Sequence, residues 1–143
     1  MKKSRLPFMM IVLAVGACVC HGSAPAQDKS TSGDRLAVIW SSGDPDVANK
    51  VCLMYTHNAK KQKWFDDVLL IVWGPSAKLL SVDEDLQAKI KTMLKDGVRV
   101  QACQACSDSY GVSDQLRKLG VDVKYMGKPL TDILKQGWRV LTF

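Results

Sequence analysis

The sequence is poor in histidine, the side chain that most often performs acid–base catalysis: only His21 and His57 occur in 143 residues. It contains no Gly-x-Gly-x-x-Gly motif and no Walker-type phosphate loop, so a dinucleotide or nucleoside triphosphate site has no sequence support. No Ser–His–Asp signature is present either, and His57 leaves few options for general-base catalysis. The sequence therefore predicts no cofactor.

Long basic runs are also missing, although the net charge of +6 is compatible with nucleic acid or a membrane surface. No run of Lys or Arg exceeds two residues, aromatics make up only 7% of the chain, and none alternate with the basic residues. The densest basic cluster, Lys60, Lys61 and Lys63, lies at a predicted helix end, where lysines complement the helix dipole. Nucleic acid is therefore not a predicted partner.

The N-terminal segment has the three parts of a secretory signal peptide. A basic start, Met1–Arg5, is followed by the apolar run Leu6–Val19 and then by Ala24-Pro25-Ala26. The apolar run is shorter than the roughly 20 residues of a transmembrane helix, so no membrane span is predicted. We expect residues 1–26 to be a signal peptide, cleaved after Ala26, and the protein to be exported to the periplasm.

A second processing route starts from Val15-Gly16-Ala17-Cys18, which is similar to a bacterial lipobox and would leave a lipid anchor on Cys18. The glycine before Ala17 is not ideal for that motif, so cleavage after Ala26 is preferred. Residues 1–26 hold three basic and no acidic residues, which is half of the net charge. They also hold two of the five cysteines, and the remaining three would enter a compartment where disulfides persist.

The rest of the chain predicts a flexible leader over residues 27–34 and one domain over residues 35–143. Apolar strand-like runs alternate with helical periodicity. Asp44 and Pro45 suit the N-cap and first position of a helix that ends near Lys61, and Ser81–Glu84 suits a capping box. The alternation predicts an α/β fold: a three-layer α/β/α sandwich with a mostly parallel five-stranded sheet. The predicted strands cover residues 36–40, 67–73, 98–102, 121–125 and 138–143.

Parallel strands place their outgoing loops at one edge of the sheet, and Cys103-Gln104-Ala105-Cys106 lies in one of these loops. A thiol at a helix N-terminus is stabilised as thiolate by the dipole and by free N–H groups, although Asp108 opposes this. Such a pair suits a reversible disulfide, a persulfide-forming nucleophile or half of a metal site. The alternatives without chemistry are two small packing residues or an inert disulfide.

A zinc site would need two more ligands than this motif supplies. Cys52 and His57 are the remaining candidates after processing, but a separation of five residues points them to different sides of the first helix. Cys52 fits a small buried residue and His57 a solvated helix end, so no metal is predicted. A thioredoxin-like fold also fits poorly, because its Cys-x-x-Cys motif follows an early strand and usually a tryptophan.

Several segments in order make the chain similar to the DsrE-like family (DsrE/DsrF-like), small α/β proteins that include sulfur-relay subunits. The resemblance covers about residues 36–143. Its segments are Val72–Ala77, Gly97-Val98 before Cys103, Tyr110–Val112, Leu119–Val121, Met126–Leu130 and Val140–Phe143.

This resemblance implies that Cys103 is the sulfur-carrying or nucleophilic thiol. Cys106, which belongs only to a subset of such sequences, would then resolve the persulfide or form a disulfide with Cys103. It also implies a homo-oligomer, trimer or hexamer, and a sulfur donor or acceptor protein as partner. Whether the chain is an enzyme stays open at this point. If it is one, the resemblance indicates a sulfurtransferase-like carrier.

Two alternatives remain at this point. The first is a non-catalytic binding module for a small ligand or partner in the envelope. Its pocket at the sheet edge would be framed by Trp40, Trp73, Pro75, Met126 and Pro129. The second is a metal or redox sensor.

Overall fold

A computed structural model describes residues 33–143. The predicted signal peptide, the lipid-anchor alternative at Cys18 and most of the predicted leader lie outside the described residues. Of that leader, Asp34 lies against the domain. Its carbonyl oxygen accepts from the backbone N–H of Asp66 at 2.8 Å, and its carboxylate accepts from Arg139 at 2.6 Å.

Five strands of the described part of the chain form one sheet in the order β4-β3-β2-β1-β5, and every pair is parallel. The prediction of an α/β sandwich is confirmed, and the sheet is wholly rather than mostly parallel. The central strand β2 is buried along its length after the first residue, as a parallel strand covered on both faces must be. The strands are β1 Arg35–Trp40, β2 Asp67–Val72, β3 Arg99–Cys103, β4 Asp122–Lys124 and β5 Arg139–Thr142.

Within residues 33–143, seven α-helices lie between the strands. They are α1 Pro45–Val47, α2 Leu53–Lys61, α3 Pro75–Val82, α4 Glu84–Lys95, α5 Gln104–Ser109, α6 Ser113–Lys118 and α7 Gly127–Lys135. The helix expected from Pro45 to Lys61 is interrupted by a π-helical turn, Ala48–Cys52. Asp44 caps it as predicted, since its carboxylate accepts from the N–H groups of Asp46 and Val47.

The capping box predicted at Ser81 is wrong. The N-cap of α4 is Asp83, whose carboxylate accepts from the N–H of Leu86 at 2.9 Å. Ser81 belongs instead to α3. This helix was not predicted from the sequence because Gly74-Pro75 is typical of a turn. Proline suits the first helical position, so the same two residues end one element and begin the next.

The direction of the crossovers decides which face each helix covers. The chain moves one strand at a time from β1 to β4, and right-handed crossovers put α1 to α6 on one face. It then returns across the sheet to β5, which puts α7 on the other face.

Two separate apolar clusters result. The larger packs α2, α3, α4, α6 and the π-helical turn against the sheet and includes Trp40, Cys52 and Leu70. The smaller lies under α7 and includes Cys103, Met126 and Ile133. We call these surfaces the six-helix face and the α7 face.

Candidate thiol site at the sheet edge

Cys103 is the last residue of β3 and the N-cap of α5, with extended backbone angles of −69° and 112°. The predicted position near the N-cap is therefore confirmed. The Cys103 side chain belongs to the cluster on the α7 face and is 5% exposed. Cys106 lies in the first turn of α5, is half-buried, and packs against the same cluster.

The position of Cys103 in the topology is specific. The loop after β3 leads to α5 on the six-helix face, whereas the loop after the neighbouring strand β4 leads to α7 on the opposite face. Loops that diverge from adjacent strands leave a crevice, and this is the place where open α/β sheets bind ligands. In the strand register, Cys103 faces Lys124, the last residue of β4. The cysteine pair therefore lies at the topological switch point.

The two sulfurs influence each other. Burial raises the pKa of Cys106 above its usual value, and its hydrogen bond with Cys103 raises it further. The backbone N–H of Gly74 donates to the Cys106 sulfur and acts in the opposite direction. Cys106 is therefore a thiol that keeps its proton beside a second sulfur, with one amide donor directed at it. Both cysteines are free thiols.

Gly74 supplies that amide because of its unusual backbone. Its φ is 70° and its ψ is −134°, a conformation that residues with a Cβ rarely adopt. An added Cβ would meet no atom within 4 Å, so glycine is required by the backbone angles and not by lack of space. No sequence signal indicates this role, since Gly74-Pro75 is typical of a strand terminator.

Ser76 fixes the same loop. Its hydroxyl oxygen lies 2.5 Å from the carbonyl oxygen of Trp40 and accepts from the N–H of Trp73 at 3.0 Å. The side chain is fully buried and thus ties the carboxyl ends of β1 and β2 together. This positioning residue was also missed, because a serine after a turn carries no distinctive sequence signal.

The start of α6 is attached to α5 by a second serine contact. The hydroxyls of Ser107 and Ser113 lie 2.7 Å apart, and Ser113 also donates to the carboxylate of Asp108. Asp108, expected to disfavour a nearby thiolate, is therefore engaged by a hydroxyl group. The contact holds α5, and with it Cys106, against α6.

The aromatic pocket considered from the sequence is not assembled as expected. Trp40 is fully buried in the cluster of the six-helix face and does not frame the edge. Trp73 and Met126 do lie beside the cysteines, packed in the cluster of the α7 face. The surroundings of Cys103 are thus largely apolar.

Cys52 and His57 are not brought to the thiol pair. Cys52 is fully buried, as predicted, and burial raises its pKa to about 12, partly offset by the Thr56 hydroxyl. His57 places Nε2 2.6 Å from a carboxylate oxygen of Asp96. Among the described residues, no group of three or more His, Cys, Asp or Glu side chains could hold a metal ion. No helix within residues 33–143 is long and apolar enough to cross a membrane.

Fold and site together define a parallel α/β protein with a Cys-x-x-Cys thiol pair at its topological switch point. A sequence model of the DsrE/DsrF-like family matches residues 34–143, and the chain belongs to this family.

Two solved structures share the fold. A conserved protein of unknown function from Bacteroides thetaiotaomicron, BT1422, is 36% identical, with a TM-score of 0.74 over 77% of this chain and 95% of that one. The ychN protein from E. coli is 17% identical, with a TM-score of 0.61 over 77% of this chain and 98% of that one. No curated protein matches the chain.

Proposed function

We propose that this chain is a sulfur-relay or thiol-redox protein in which Cys103 accepts sulfur and Cys106 resolves the product. The DsrE/DsrF-like family to which it belongs is of sulfur-relay type. The observation that carries the proposal is the pair of free thiols, Cys103 at the N-cap of α5 and Cys106 in its first turn, at the switch point between β3 and β4.

The arrangement divides the roles between the two sulfurs. Cys106 keeps its proton because burial and the Cys103 sulfur raise its pKa. Cys103 is the N-cap of α5 and lies beside the Cys106 thiol. Its sulfur is the nucleophile of the proposed reaction.

The chemistry balances in two steps. The Cys103 thiolate attacks the outer sulfur of a donor persulfide, R–S–SH. A new S–S bond forms on Cys103 and the donor leaves as the thiolate R–S⁻. In the second step, Cys106 loses its proton and attacks the inner sulfur of the Cys103 persulfide, which releases HS⁻ and forms a Cys103–Cys106 disulfide. A dithiol reductant then returns both thiols by exchange.

Burial favours retention of the carried sulfur. Cys103 is 5% exposed and packed with apolar side chains, while Cys106 is half-buried and nearer to solvent. A persulfide on Cys103 is therefore protected from bulk thiols, and Cys106 is the nearest group that can release it.

Intact-mass measurement after treatment with a sulfane donor tests this proposal. Wild type gains one 32-Da increment and loses it as the Cys103–Cys106 disulfide forms, Cys106→Ser keeps the increment, and Cys103→Ser gains none. Cys52→Ala is the matched control and loads like wild type. Equal loading of Cys103→Ser would refute the carrier role. If no variant loads but a ligand still binds the double Cys→Ser variant, the binding-module alternative is favoured.

The proposal extends to location and assembly. Export to the periplasm follows from the N-terminal motif, and mass spectrometry of native protein would show either Gln27 as the first residue or a lipid on Cys18.

A trimer or hexamer is supported by exposed apolar side chains on Leu134 and on Leu141 of the edge strand β5. Light scattering of the purified protein would report the assembly, and a monomer at micromolar concentration would contradict it.

A further inference from the structure

A second group of sulfur-bearing side chains lies away from the thiol pair, in a pocket between α2 and α4. The pocket has a volume of about 240 Å³. Its lining residues are Asn49, Leu53, Met54, His57, Lys89 and Met93. Two methionines and one histidine thus line one small cavity.

The local structure explains how these groups come together. Met54 and His57 are three residues apart on α2, a spacing that puts two side chains on the same helix face. Met93 is on α4 and is buried, so it forms the inner wall, whereas Met54 is 54% exposed and forms the outer rim. The π-helical turn Ala48–Cys52 directly precedes α2, and such turns often mark functional sites.

The contact between His57 and Asp96 is an independent indication. Histidines that bind metals usually donate their other ring N–H to a carboxylate, which orients the ring and raises the basicity of the free nitrogen. Here Nε2 of His57 lies 2.6 Å from Oδ2 of Asp96. Because Nε2 is engaged by Asp96, the ring nitrogen that remains for a metal ion is Nδ1.

From these observations we propose that Met54, His57 and Met93 form a site for a soft monovalent cation, copper(I). Thioether and imidazole ligands together suit copper(I), whereas zinc in proteins takes thiolate, imidazole and carboxylate. Methionine has three rotatable bonds, so both sulfurs can turn towards one ion in a cavity of this size. The site is separate from the proposed sulfur chemistry and does not depend on it.

One lining group opposes a cation. The ammonium of Lys89 lies at the pocket, where it donates to the side-chain oxygen of Asn49. Its charge weakens copper(I) binding, and the carboxylate of Asp96 behind His57 counteracts it. Removing the charge by Lys89→Gln should therefore tighten copper(I) binding.

Competition with the chelator bicinchoninate, under anaerobic reducing conditions, tests the proposal. The parent is the full chain carrying Cys18→Ser, Cys20→Ser, Cys103→Ser and Cys106→Ser, so that cysteine pairs do not bind the metal. It should retain one equivalent of copper(I).

Single substitutions at the pocket give the expected pattern. Met54→Leu, at an exposed position that folding does not require, lowers affinity at least about tenfold, and Asp96→Asn lowers it by about 10- to 100-fold. Met126→Leu, in the other apolar cluster, leaves copper(I) affinity unchanged. X-ray absorption of the loaded parent should show both sulfur and nitrogen neighbours.

Three outcomes would overturn the proposal. They are no copper(I) retained by the folded parent, equal affinity in the parent and in Met54→Leu, or an absorption spectrum without sulfur neighbours. Zinc binding of the same strength that is unaffected by Met54→Leu would likewise contradict a site selected by thioethers. Circular dichroism of each variant confirms that it is folded before binding is compared.

Discussion

The two faces of the sheet each enclose a cysteine, and they give it opposite surroundings. Cys52, under the six-helix face, is fully buried at the π-helical turn, with its pKa raised to about 12. Cys103, on the α7 face, lies where a strand ends and a helix begins, next to a second thiol. Both are hidden from solvent, so burial alone does not separate them.

The two cysteines differ in their position relative to the edge of the sheet where the parallel strands end. A helix start and a backbone amide both lie at the Cys103–Cys106 pair, at the edge of the sheet where β3 ends. Cys52 has the Thr56 hydroxyl as its polar neighbour and is otherwise surrounded by the core. The topology, more than the residue type, determines which thiol can react.

The largest expected difference between the two regions is in thiol reactivity. Cys106 should react with a small alkylating reagent at least about 1000-fold faster than Cys52, because Cys52 reacts only after an opening that costs ~4 kcal/mol or more. Peptide mapping at successive times measures both rates. In denaturant the two rates should become similar. A Cys52 that reacts as fast as Cys106 in the native protein would contradict the difference between the two regions.

Core truncation should show the greater packing of the six-helix face. Leu70→Ala, at a fully buried site in the larger cluster, is expected to lower the free energy of unfolding by about 3–4 kcal/mol. Ile133→Ala on α7, where the side chain is 8% exposed in the smaller cluster, is expected to cost about 2 kcal/mol. Urea denaturation measures both, and a greater loss for Ile133→Ala would reverse the assignment.

The amide at the thiol pair depends on a strained backbone that only glycine adopts easily. Gly74→Ala should destabilise the protein by about 1–3 kcal/mol and change the pH dependence of Cys106 alkylation, because the donor N–H is displaced. Gly137→Ala is the matched control, with a φ of 72° and nothing within 4 Å of the added Cβ. It should cost stability but leave Cys106 unchanged. If Gly74→Ala also leaves Cys106 unchanged, the amide has no role there.

The smallest effect is the contribution of Cys52 to stability at high pH. The thiol ionises near pH 9 in the unfolded chain and near 12 in the folded one, so deprotonation favours unfolding. Its stabilising contribution is complete below pH 9 and falls by about 1.4 kcal/mol for each pH unit above that. Denaturation curves between pH 8 and 10.5 should show a steeper loss of stability with rising pH in wild type than in Cys52→Ala. Parallel curves for the two proteins would contradict the assignment.

Much of the fold could be predicted because the signals were local. The apolar run of β2 indicates a strand buried on both faces, and the Asp44-Pro45 start of the first helix is a self-contained capping signal. The π-helical turn could not be predicted, since it changes the hydrogen-bond pattern without a distinctive residue. The start of α3 was hidden because Gly74-Pro75 is equally consistent with a turn.

Part of the site could also be predicted, because the sequence signal for that part is local. The position of Cys103 after a strand placed it at the carboxyl edge, and that is where the structure has it. The amide of Gly74 and the hydroxyl of Ser76 come from a different strand–helix junction. Their role depends on how β2 lies beside β3, which is a tertiary relation. The burial of Trp40 under the six-helix face could not be predicted either, because a tryptophan at a strand end does not indicate which face of the sheet its side chain packs on.

The most direct test of the central claim is to locate the sulfur in wild-type protein after treatment with a sulfane donor and rapid alkylation. Trypsin separates the two regions, giving residues 51–60 with Cys52 and residues 100–117 with both edge cysteines. The added 32 Da should appear only in the second peptide, and fragmentation should place it on Cys103. Label on Cys52, or on Cys106 alone, would contradict Cys103 as the sulfur acceptor.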